Sequence, residues 1–311
     1  MNPANPTSPR FAPPPSEHPP LSRALSFLFN PQGLDNPSKL AKAVAGQVIL
    51  ITGASYGLGE AAAQLFARAG AIVLMAARTA DKLDSVAARI RAEGGEAHVY
   101  PTDLADPVSA AALAQRVIAD HGRVDVLIHN AGKSLRRSIA LSYDRYRDFE
   151  RTMAINYHGP VALTLGLLPH MRSHGGHIVN VSTVGARIPP GPRWAAYQAS
   201  KGAFDTWMRS VGLEMRSDNL TLTTCYMGLM YTRMSSPTPI MRVLPGLMPE
   251  EAALLLARAV VSKPAEISPP WLRPVEIGGV LLRGPVNWLM ARTASQTGDS
   301  EASLSAAGQE V

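Results

Sequence analysis

From Gly46 onward, short apolar runs alternate with longer segments of helical periodicity, and this alternation constrains the fold more than any other feature. The apolar runs have the length of strands, and most are rich in β-branched residues: QVILIT, AIVLMAA, EAHVYPT, VDVLIHN, GHIVNVS and LTLTTCY. Strands that are apolar on both faces and separated by helices are typical of parallel sheets. The sequence therefore predicts an α/β fold, a single Rossmann-type doubly wound parallel sheet with helices on both faces.

Three segments are expected along the chain. Residues 1–45 begin with a proline-rich tail, which cannot build a helix or a ladder, and continue with a short apolar segment that docks on the domain. Residues 46–270 carry the alternating pattern and form the α/β domain. Residues 271–311 form a helical extension that ends in a loose polar tail from Thr293.

Composition excludes several classes of protein. Cys225 is the only cysteine, so disulfide frameworks and thiolate metal clusters are excluded and a reducing compartment is expected. The formal charge of +6 is accompanied by arginines scattered along the chain, which do not form the basic patch of a nucleic-acid-binding protein. No apolar stretch reaches the about 18 residues that a membrane span requires, and no signal-peptide pattern is present. These features predict a cytoplasmic protein without a nucleic-acid partner.

The decapeptide ITGASYGLGE fits two incompatible motifs. Its GASYG core matches G-x-S-x-G, the turn that presents a nucleophilic serine in hydrolases, while its full length matches a glycine-rich turn that binds dinucleotides. A nucleophile turn requires an earlier strand for its oxyanion hole and a late histidine. Here the turn follows the first strand and the last histidine is His177. The dinucleotide interpretation is favoured, because the turn joins a strand to a helix that begins near Leu58.

The glycine turn and the next strand end predict the cofactor. Gly53 permits a sharp exit from the strand, Gly57 a close approach to pyrophosphate, and Gly59 close packing of the helix on the sheet. The predicted phosphate-binding residues are Gly53, Ser55, Tyr56, Gly57, Leu58 and Gly59. The second strand ends at Arg78, with no acid at its tip to bind a ribose 2′-hydroxyl. A guanidinium there suits a 2′-phosphate, which predicts NADP(H); a solvated arginine at a strand end is the alternative.

Tyr197 and Lys201 supply candidate acid–base chemistry. They are four positions apart in AAYQASKGAF and share one face at the start of a predicted helix. A neighbouring ammonium favours phenolate, so Lys201 is expected to lower the pKa of Tyr197 from its ordinary value of about 10. The tyrosine hydroxyl is then a usable general acid or base near neutral pH.

These motifs resemble those of the short-chain dehydrogenase/reductase family, in order and spacing, over about residues 46–235. The matching segments are TGASYGLG, PTDLAD, IHNAG, INYHG, VNVST and YQASK. The resemblance implies an NADP-dependent oxidoreductase with a proton relay of Asn156, Tyr197 and Lys201. Asn156 would hold a water behind Lys201, and Lys201 would also bind the nicotinamide ribose.

The same resemblance implies further cofactor contacts. They are Asp103 and Leu104 beside the adenine, Asn130, Ala131 and Gly132 at the central strand, and Thr232 at the nicotinamide amide or the phosphates. An alternative role for Asp103 and Asn156 is that of an ordinary turn or cap residue.

The sequence departs from the family pattern in two places. Where the family has a serine that orients the substrate carbonyl, this chain has Ser182 and Thr183, and alignment from the strand selects Thr183 as a catalytic residue, with Ser182 as the alternate. Thr183 keeps a hydroxyl donor but adds a methyl group and a restricted rotamer. The family's Pro-Gly after the sixth strand is Met227-Gly228 in this chain.

A narrower resemblance concerns the substrate. The segments around residues 129–159, 192–207 and 244–267 are similar to those of bacterial fatty acyl-CoA reductases within the family. This similarity implies reduction of a long-chain acyl-CoA, a small-molecule substrate, to an aldehyde with NADPH. One alternative is an alcohol/ketone oxidoreductase acting on a lipid, retinoid or sterol-like substrate. A second, from another class, is a non-catalytic nucleotide-binding interaction module, which only Thr183 supports.

Two segments carry open alternatives for substrate binding. The stretch between Gly228 and Pro249 is rich in methionine and leucine, which suits either a flexible lid over an acyl chain or core filling. Lys133, Arg136 and Arg137 either meet phosphates of coenzyme A or form an exposed basic loop.

The expected partners follow from the same patterns. The resemblance implies a homodimer or homotetramer, with contacts through the helices around residues 158–174 and 200–216. The C-terminal segment EIGGVLLRGPVNWLMAR suits packing at the substrate mouth or peripheral contact with a membrane surface. No metal site is predicted, because His170 and His174 share a helix face without a carboxylate nearby.

Overall fold

The structure of this chain is a computed structural model. It describes residues 15–19, 29–236, 238, 241, 244–296, 298–299 and 303–304. Its core is a seven-stranded parallel sheet with the strand order β3-β2-β1-β4-β5-β6-β7. The strands are β1 (Val48–Thr52), β2 (Ile72–Ala77), β3 (Glu96–Pro101), β4 (Val126–His129), β5 (Gly176–Thr183), β6 (Leu220–Met227) and β7 (Glu266–Ile267). The predicted doubly wound parallel sheet is confirmed.

Helices cover both faces of the sheet. They are α1 (Pro37–Val44), α2 (Gly57–Arg68), α3 (Ala80–Ala92), α4 (Pro107–His121), α5 (Tyr146–Met153), α6 (Gly159–His174), α7 (Ala195–Glu214), α8 (Pro249–Ser262), α9 (Leu272–Leu281) and α10 (Arg283–Gln296). One core lies under α1, α2, α3 and α8, and the other lies under α4, α6 and α7. Strands β1 to β6 contribute to both cores, because successive side chains point to opposite faces: Ile49 and Ile51 face the first core, Leu50 the second.

Local sequence sets the helix ends. Asp106 caps α4, since its carboxylate accepts hydrogen bonds from the backbone N–H groups of Val108 and Ser109, and Pro107 occupies the first helical position. The same helix stops at Gly122, whose φ of 72° is in the left-handed region.

The order in which strands are added to the sheet reverses between β1 and β4, and this switch point positions the functional site. Strands β2 and β3 lie on one side of β1, whereas β4, β5, β6 and β7 lie on the other. Helices leaving neighbouring strands on opposite sides open a crevice at the carboxyl ends of the strands. The glycine turn after β1 and the NAG segment after β4 therefore lie at that crevice.

The segment before the sheet docks on α8. The N–H of Leu34 donates to the carbonyl of Leu254 at 3.0 Å, and the indole N–H of Trp271 donates to the carbonyl of Phe29 at 3.0 Å. Residues 1–14 and 20–28 of the predicted tail and docking segment lie outside the described residues.

Much of the tail predicted from Thr293 lies outside the described residues, namely residues 297, 300–302 and 305–311. Helix α10 continues to Gln296, and the Asp299 carboxylate accepts a hydrogen bond of 2.8 Å from the N–H of Ser138. Earlier in the extension, Glu276 of α9 pairs with the guanidinium of Arg187, with N···O distances of 2.7 and 2.5 Å. These polar contacts tie the extension to the domain. Within the described part of the chain, no helix is both long and apolar enough to cross a membrane.

Candidate active site

The glycine turn after β1 adopts a backbone conformation that residues with a Cβ atom would disfavour. Gly53 and Gly57 have φ values of 70° and 56°, in the left-handed region. A Cβ at Gly59 would lie 2.6 Å from the side-chain nitrogen of Asn130 and closer still to the Gly53 carbonyl oxygen. The turn thus brings the backbone against the start of α2, where backbone N–H groups could approach a bound anion closely.

The first turn of α2 is open to an anion. Tyr56 occupies its N-cap and makes no side-chain capping bond, so the first N–H groups of the helix keep their capacity to bind. Ser55 is partly buried in the turn, and its hydroxyl has no hydrogen-bond partner among the described residues. The side chain of Leu58, in the first turn of this helix, is buried.

Thr52 and Asn130 join the ends of β1 and β4. The Thr52 hydroxyl accepts hydrogen bonds of 3.0 Å from the N–H groups of Asn130 and Ala131, and it donates to the carbonyl of Ile128. The Asn130 amide donates to the carbonyls of Thr52 and Gly53 at 2.9 and 3.2 Å. The role of Thr52 was missed in the sequence, although it stands directly before Gly53 in the motif.

Asp103 and Leu104 lie just beyond the end of β3. Asp103 is exposed, and its carboxylate accepts a hydrogen bond of 3.0 Å from the N–H of Ala105, which is the turn geometry named as the alternative. Leu104 is buried, and its carbonyl lies against Gly159, where a Cβ would collide with it. The adenine contact of both residues stays a prediction.

Arg78 is the first residue after β2 and is exposed at the same edge of the sheet as the glycine turn. Among the described residues, no carboxylate pairs with its guanidinium. Its charge is therefore available for a phosphate.

Asn156 lies in a π-helical turn, Ala154–His158, between α5 and α6. Its amide donates to the Lys133 carbonyl and the Ser200 hydroxyl, both at 2.9 Å, and its side-chain oxygen accepts from the N–H of Lys133 at 2.8 Å. The side chain is buried and fully engaged with protein groups. π-turns inside helices often occur at functional sites, but the sequence contained no signal for this one.

Lys201 and Asn156 converge on Gly132. A Cβ at Gly132 would lie 3.0 Å from the side-chain oxygen of Asn156 and 3.3 Å from Nζ of Lys201. The Lys201 ammonium donates to the carbonyl of Val181 at 3.0 Å. Burial of the ammonium lowers the pKa of Lys201 to about 8, so the residue exchanges a proton close to neutral pH.

The pKa of the Tyr197 hydroxyl differs from the expectation. Burial raises the pKa of Tyr197 above its ordinary value, and a hydrogen bond with Thr183 opposes this shift only in part. The expectation that Lys201 lowers the pKa is wrong for this structure, because removal of the ring from water dominates and the ammonium is engaged with Val181. A protonated tyrosine at neutral pH is suited to donate a proton.

The structure distinguishes Thr183 from Ser182. The Thr183 hydroxyl accepts a hydrogen bond of 3.1 Å from the N–H of Gly185, and it lies near enough to Tyr197 to lower the pKa of that residue. Ser182 points to the opposite face of β5, where it is buried without a hydrogen-bond partner among the described residues. The structure therefore brings Thr183, and not Ser182, to Tyr197.

The segment after β6 closes on the glycine turn. A Cβ at Gly57 would lie 3.3 Å from the methyl group of Thr232, and the guanidinium of Arg233 lies 4.5 Å from the centre of the Tyr56 ring. Arg233 was not singled out in the sequence. Thr232 thus borders the predicted phosphate cradle.

The methionine- and leucine-rich stretch fills the core in part, and its role as a lid over an acyl chain stays a prediction. Met230 pairs with Leu247 in an isolated β-bridge, and Leu247 is buried in the core. Met234 and Leu244 are 48% and 46% exposed, so this part of the stretch has apolar surface available for a ligand.

The loop after the NAG segment is not an exposed basic loop. The Arg137 side chain is only 6% exposed and forms an ion pair with Asp148. Arg136 donates to the carbonyl of Gly298 at 3.1 Å. Lys133 is half-buried, and burial, followed by the charge of Arg151, lowers its pKa. These internal contacts explain why the basic residues are withdrawn from solvent.

The histidines have structural contacts. The ring of His174 bonds to the carbonyl of His170 at 2.9 Å, and the buried ring of His177 bonds to the hydroxyl of Thr223 at 2.8 Å. Over the described ranges, no group of three or more potential metal ligands is found.

The chain is similar in sequence and in structure to several known proteins. A family model described as short chain dehydrogenase matches residues 47–242. An uncharacterized oxidoreductase of Mycobacterium tuberculosis is 44% identical over 274 residues, which cover 87% of this chain and 80% of that protein. A fatty acyl-CoA reductase of Acinetobacter baylyi is 45% identical over 226 residues, covering 72% of this chain and 76% of that protein. The crystal structure of a metagenomic short-chain oxidoreductase in complex with NADP superposes with a TM-score of 0.64 at 30% identity, over 73% of this chain and 97% of that one.

Proposed function

The chain belongs to the short-chain dehydrogenase family, and from that premise we propose that it is an NADPH-dependent reductase of long-chain fatty acyl-CoA to fatty aldehyde. The placement of Thr183 beside Tyr197 carries the proposal of a working carbonyl-reducing site. The identity of 45% to a fatty acyl-CoA reductase supports the choice of substrate.

The residues at the crevice fit NADPH. The glycine turn has no space for Cβ atoms at Gly53 and Gly59, and the first N–H groups of α2 are open to the pyrophosphate. The unpaired guanidinium of Arg78 suits the 2′-phosphate that distinguishes NADPH from NADH. When bound, NADPH supplies the hydride.

The protein groups act on the substrate carbonyl. The hydroxyls of Thr183 and Tyr197 donate hydrogen bonds to the thioester oxygen, and Tyr197 transfers its proton to that oxygen as the carbonyl carbon accepts the hydride. The resulting hemithioacetal then loses its hydroxyl proton and its carbon–sulfur bond breaks. The leaving sulfur takes up a proton, which gives the aldehyde and free coenzyme A. One acyl-CoA, one hydride and one proton are consumed in each turnover.

Lys201 and Asn156 are proposed to return the proton to Tyr197. The lowered pKa of Lys201, about 8, allows it to take up and release a proton near neutral pH. Asn156 supports Lys201 from behind Gly132, where both side chains converge.

A covalent acyl-enzyme on cysteine does not suit this chain. Cys225 is completely buried in β6, and burial raises the pKa of its thiol to about 12. A nucleophilic thiolate requires the opposite shift. Direct transfer of hydride to the bound thioester is therefore the mechanism we propose.

The test is an assay with NADPH and palmitoyl-CoA in which NADPH oxidation, aldehyde and free coenzyme A are all measured. Equal amounts of aldehyde and coenzyme A are expected. Reduction of ketones or aldehydes without release of coenzyme A would favour the alcohol/ketone oxidoreductase instead. Tight NADPH binding without turnover of any carbonyl would favour the non-catalytic nucleotide-binding module.

We also propose self-association and contact with lipid. Leu165 of α6 and Leu213 of α7 are 56% and 76% exposed on the helices predicted to join the subunits of a dimer or tetramer. Leu281 of α9 and Trp288 of α10 are exposed apolar side chains, and the guanidinium of Arg292 lies 5.8 Å from the centre of the Trp288 ring; this combination suits a membrane surface. Light scattering of wild type and of Leu165→Glu, and sedimentation with anionic vesicles, test these two proposals separately.

A further inference from the structure

A cavity of about 280 Å³ lies between the loop after the NAG segment, the start of α7 and the C-terminal helix α10. Ala195 and Ala196 line it, and they directly precede Tyr197 in the same helical turn. We propose that this cavity holds the distal part of the acyl chain and that Ala294 of α10 sets the chain length the enzyme accepts. The proposal rests on the proposed acyl-CoA reductase function.

The wall of the cavity is suited to a hydrocarbon. Leu135, Ile139, Phe149 and Pro192 supply most of its remaining apolar surface. Burying each methylene of a chain against such a wall is worth about a fourfold gain in affinity. A site of this size is slightly below the about 300–1,000 Å³ of most ligand pockets, as expected when it takes one part of a longer substrate.

The polar residues of the wall argue against the coenzyme A group as the occupant. Arg137 forms an ion pair with Asp148, and Arg193 lies 3.7 Å from the carboxylate of Asp299. Because each guanidinium already has a carboxylate partner, a phosphate would have to displace an internal pair. An uncharged chain meets the cavity without that cost.

The C-terminal extension forms part of the wall of the cavity. Ala294 lines it from α10, and the residues that follow are tied to the loop on the other side. The Asp299 carboxylate accepts from the N–H of Ser138 at 2.8 Å, and the Ser303 hydroxyl donates to the carbonyl of Arg136 at 2.6 Å. These contacts fix the chain that follows Ala294 against the loop, and a larger side chain at position 294 would project into the space left for the acyl chain.

The experiment compares Ala294→Phe with Ala291→Phe, which adds the same ring one helical turn earlier at an exposed position outside the cavity wall. We expect Ala294→Phe to lower kcat/KM for hexadecanoyl-CoA at least about tenfold, which corresponds to two lost methylene contacts, and to leave hexanoyl-CoA within about twofold. Ala291→Phe should change neither value. An equal loss for both substrates in Ala294→Phe, or no loss for the long one, overturns the proposal.

A binding measurement separates this inference from the proposed function. Titration calorimetry with hexadecanoyl-CoA and hexanoyl-CoA reports the cavity directly, whether or not the protein turns them over. Selective loss of hexadecanoyl-CoA binding in Ala294→Phe supports the cavity even if wild type produces no aldehyde. Aldehyde production with unaltered long-chain binding in this variant contradicts the cavity alone. If Ala294→Phe does not fold, Ala294→Leu repeats the comparison with a smaller insertion.

Discussion

The proposed cofactor side and the proposed substrate side of this molecule are built in different ways. The cofactor side is formed by backbone at the ends of neighbouring strands, where Gly53, Gly59 and Thr52 fix the shape within a few residues of sequence. The proposed substrate side is formed by groups from distant parts of the chain, such as the backbone N–H of Ser138 and the carboxylate of Asp299. Local backbone sites can be recognised in a motif, whereas sites made by distant contacts depend on the complete fold.

Among these variants, Tyr197→Phe should change turnover the most, and it should act on the chemical step and not on the binding of cofactor or substrate. The ring stays in place but the donated proton is lost, so turnover is expected to fall at least about a hundredfold with NADPH affinity nearly unchanged. Steady-state kinetics and NADPH titration by fluorescence measure the two quantities. Near-normal turnover in this variant would contradict the mechanism.

Gly59→Ala tests the backbone character of the cofactor side. The added methyl group meets Asn130 and the Gly53 carbonyl, so we expect a loss of about 1–3 kcal/mol in the free energy of unfolding, measured by urea denaturation. Gly278→Ala in α9 is the matched control, since its Cβ would have no atom within 4 Å. Equal stability of the two variants would show that the glycine turn is not closely packed.

The pH dependence of turnover tests Lys201. Its pKa is lowered to about 8, so the protonated form is present below pH 8 and is lost as the pH rises through that value. Steady-state turnover at saturating NADPH should therefore fall about tenfold per pH unit above pH 8, because the proton that Lys201 returns to Tyr197 between turnovers is no longer available. A rate that stays constant to pH 10 would show that the Lys201 proton is not used.

Arg78→Ala probes the cofactor side alone. Loss of the guanidinium should weaken NADPH binding about tenfold and leave NADH binding little changed, because only NADPH carries the 2′-phosphate. Arg216→Ala is the control, as this exposed arginine precedes β6 and thus lies at the opposite edge of the sheet. An equal loss for both cofactors would refute the assignment.

Ser55→Ala should have the smallest effect. The hydroxyl has no partner among the described residues, so its removal costs only a contact to the cofactor phosphates. We expect a loss of about threefold in NADPH affinity with kcat unchanged, in line with the modest net value of one hydrogen bond. A large fall in kcat would reopen the interpretation of Ser55 as a nucleophile.

The difference between local patterns and contacts of distant residues also explains which features could be predicted from the sequence. The sheet followed from the alternation of apolar runs, and Tyr197 and Lys201 from their spacing in a helix, since both are local patterns. The π-turn that carries Asn156 was not predicted. The Asn156 side chain forms hydrogen bonds with Lys133 and Ser200, which are distant in the sequence, so no local pattern reveals them. The raised pKa of Tyr197 was also missed, since the extent of burial depends on the packing of the whole domain.

Cys225 makes this chain convenient for spectroscopy. Its thiol is completely buried and its pKa is raised to about 12, so almost none of it is ionised and able to react with maleimides or methanethiosulfonates at neutral pH. A cysteine placed at an exposed position such as Ala291 would therefore be labelled selectively in the otherwise natural sequence. Fluorophores or spin labels at that position could follow the C-terminal helix during turnover without any prior removal of cysteines.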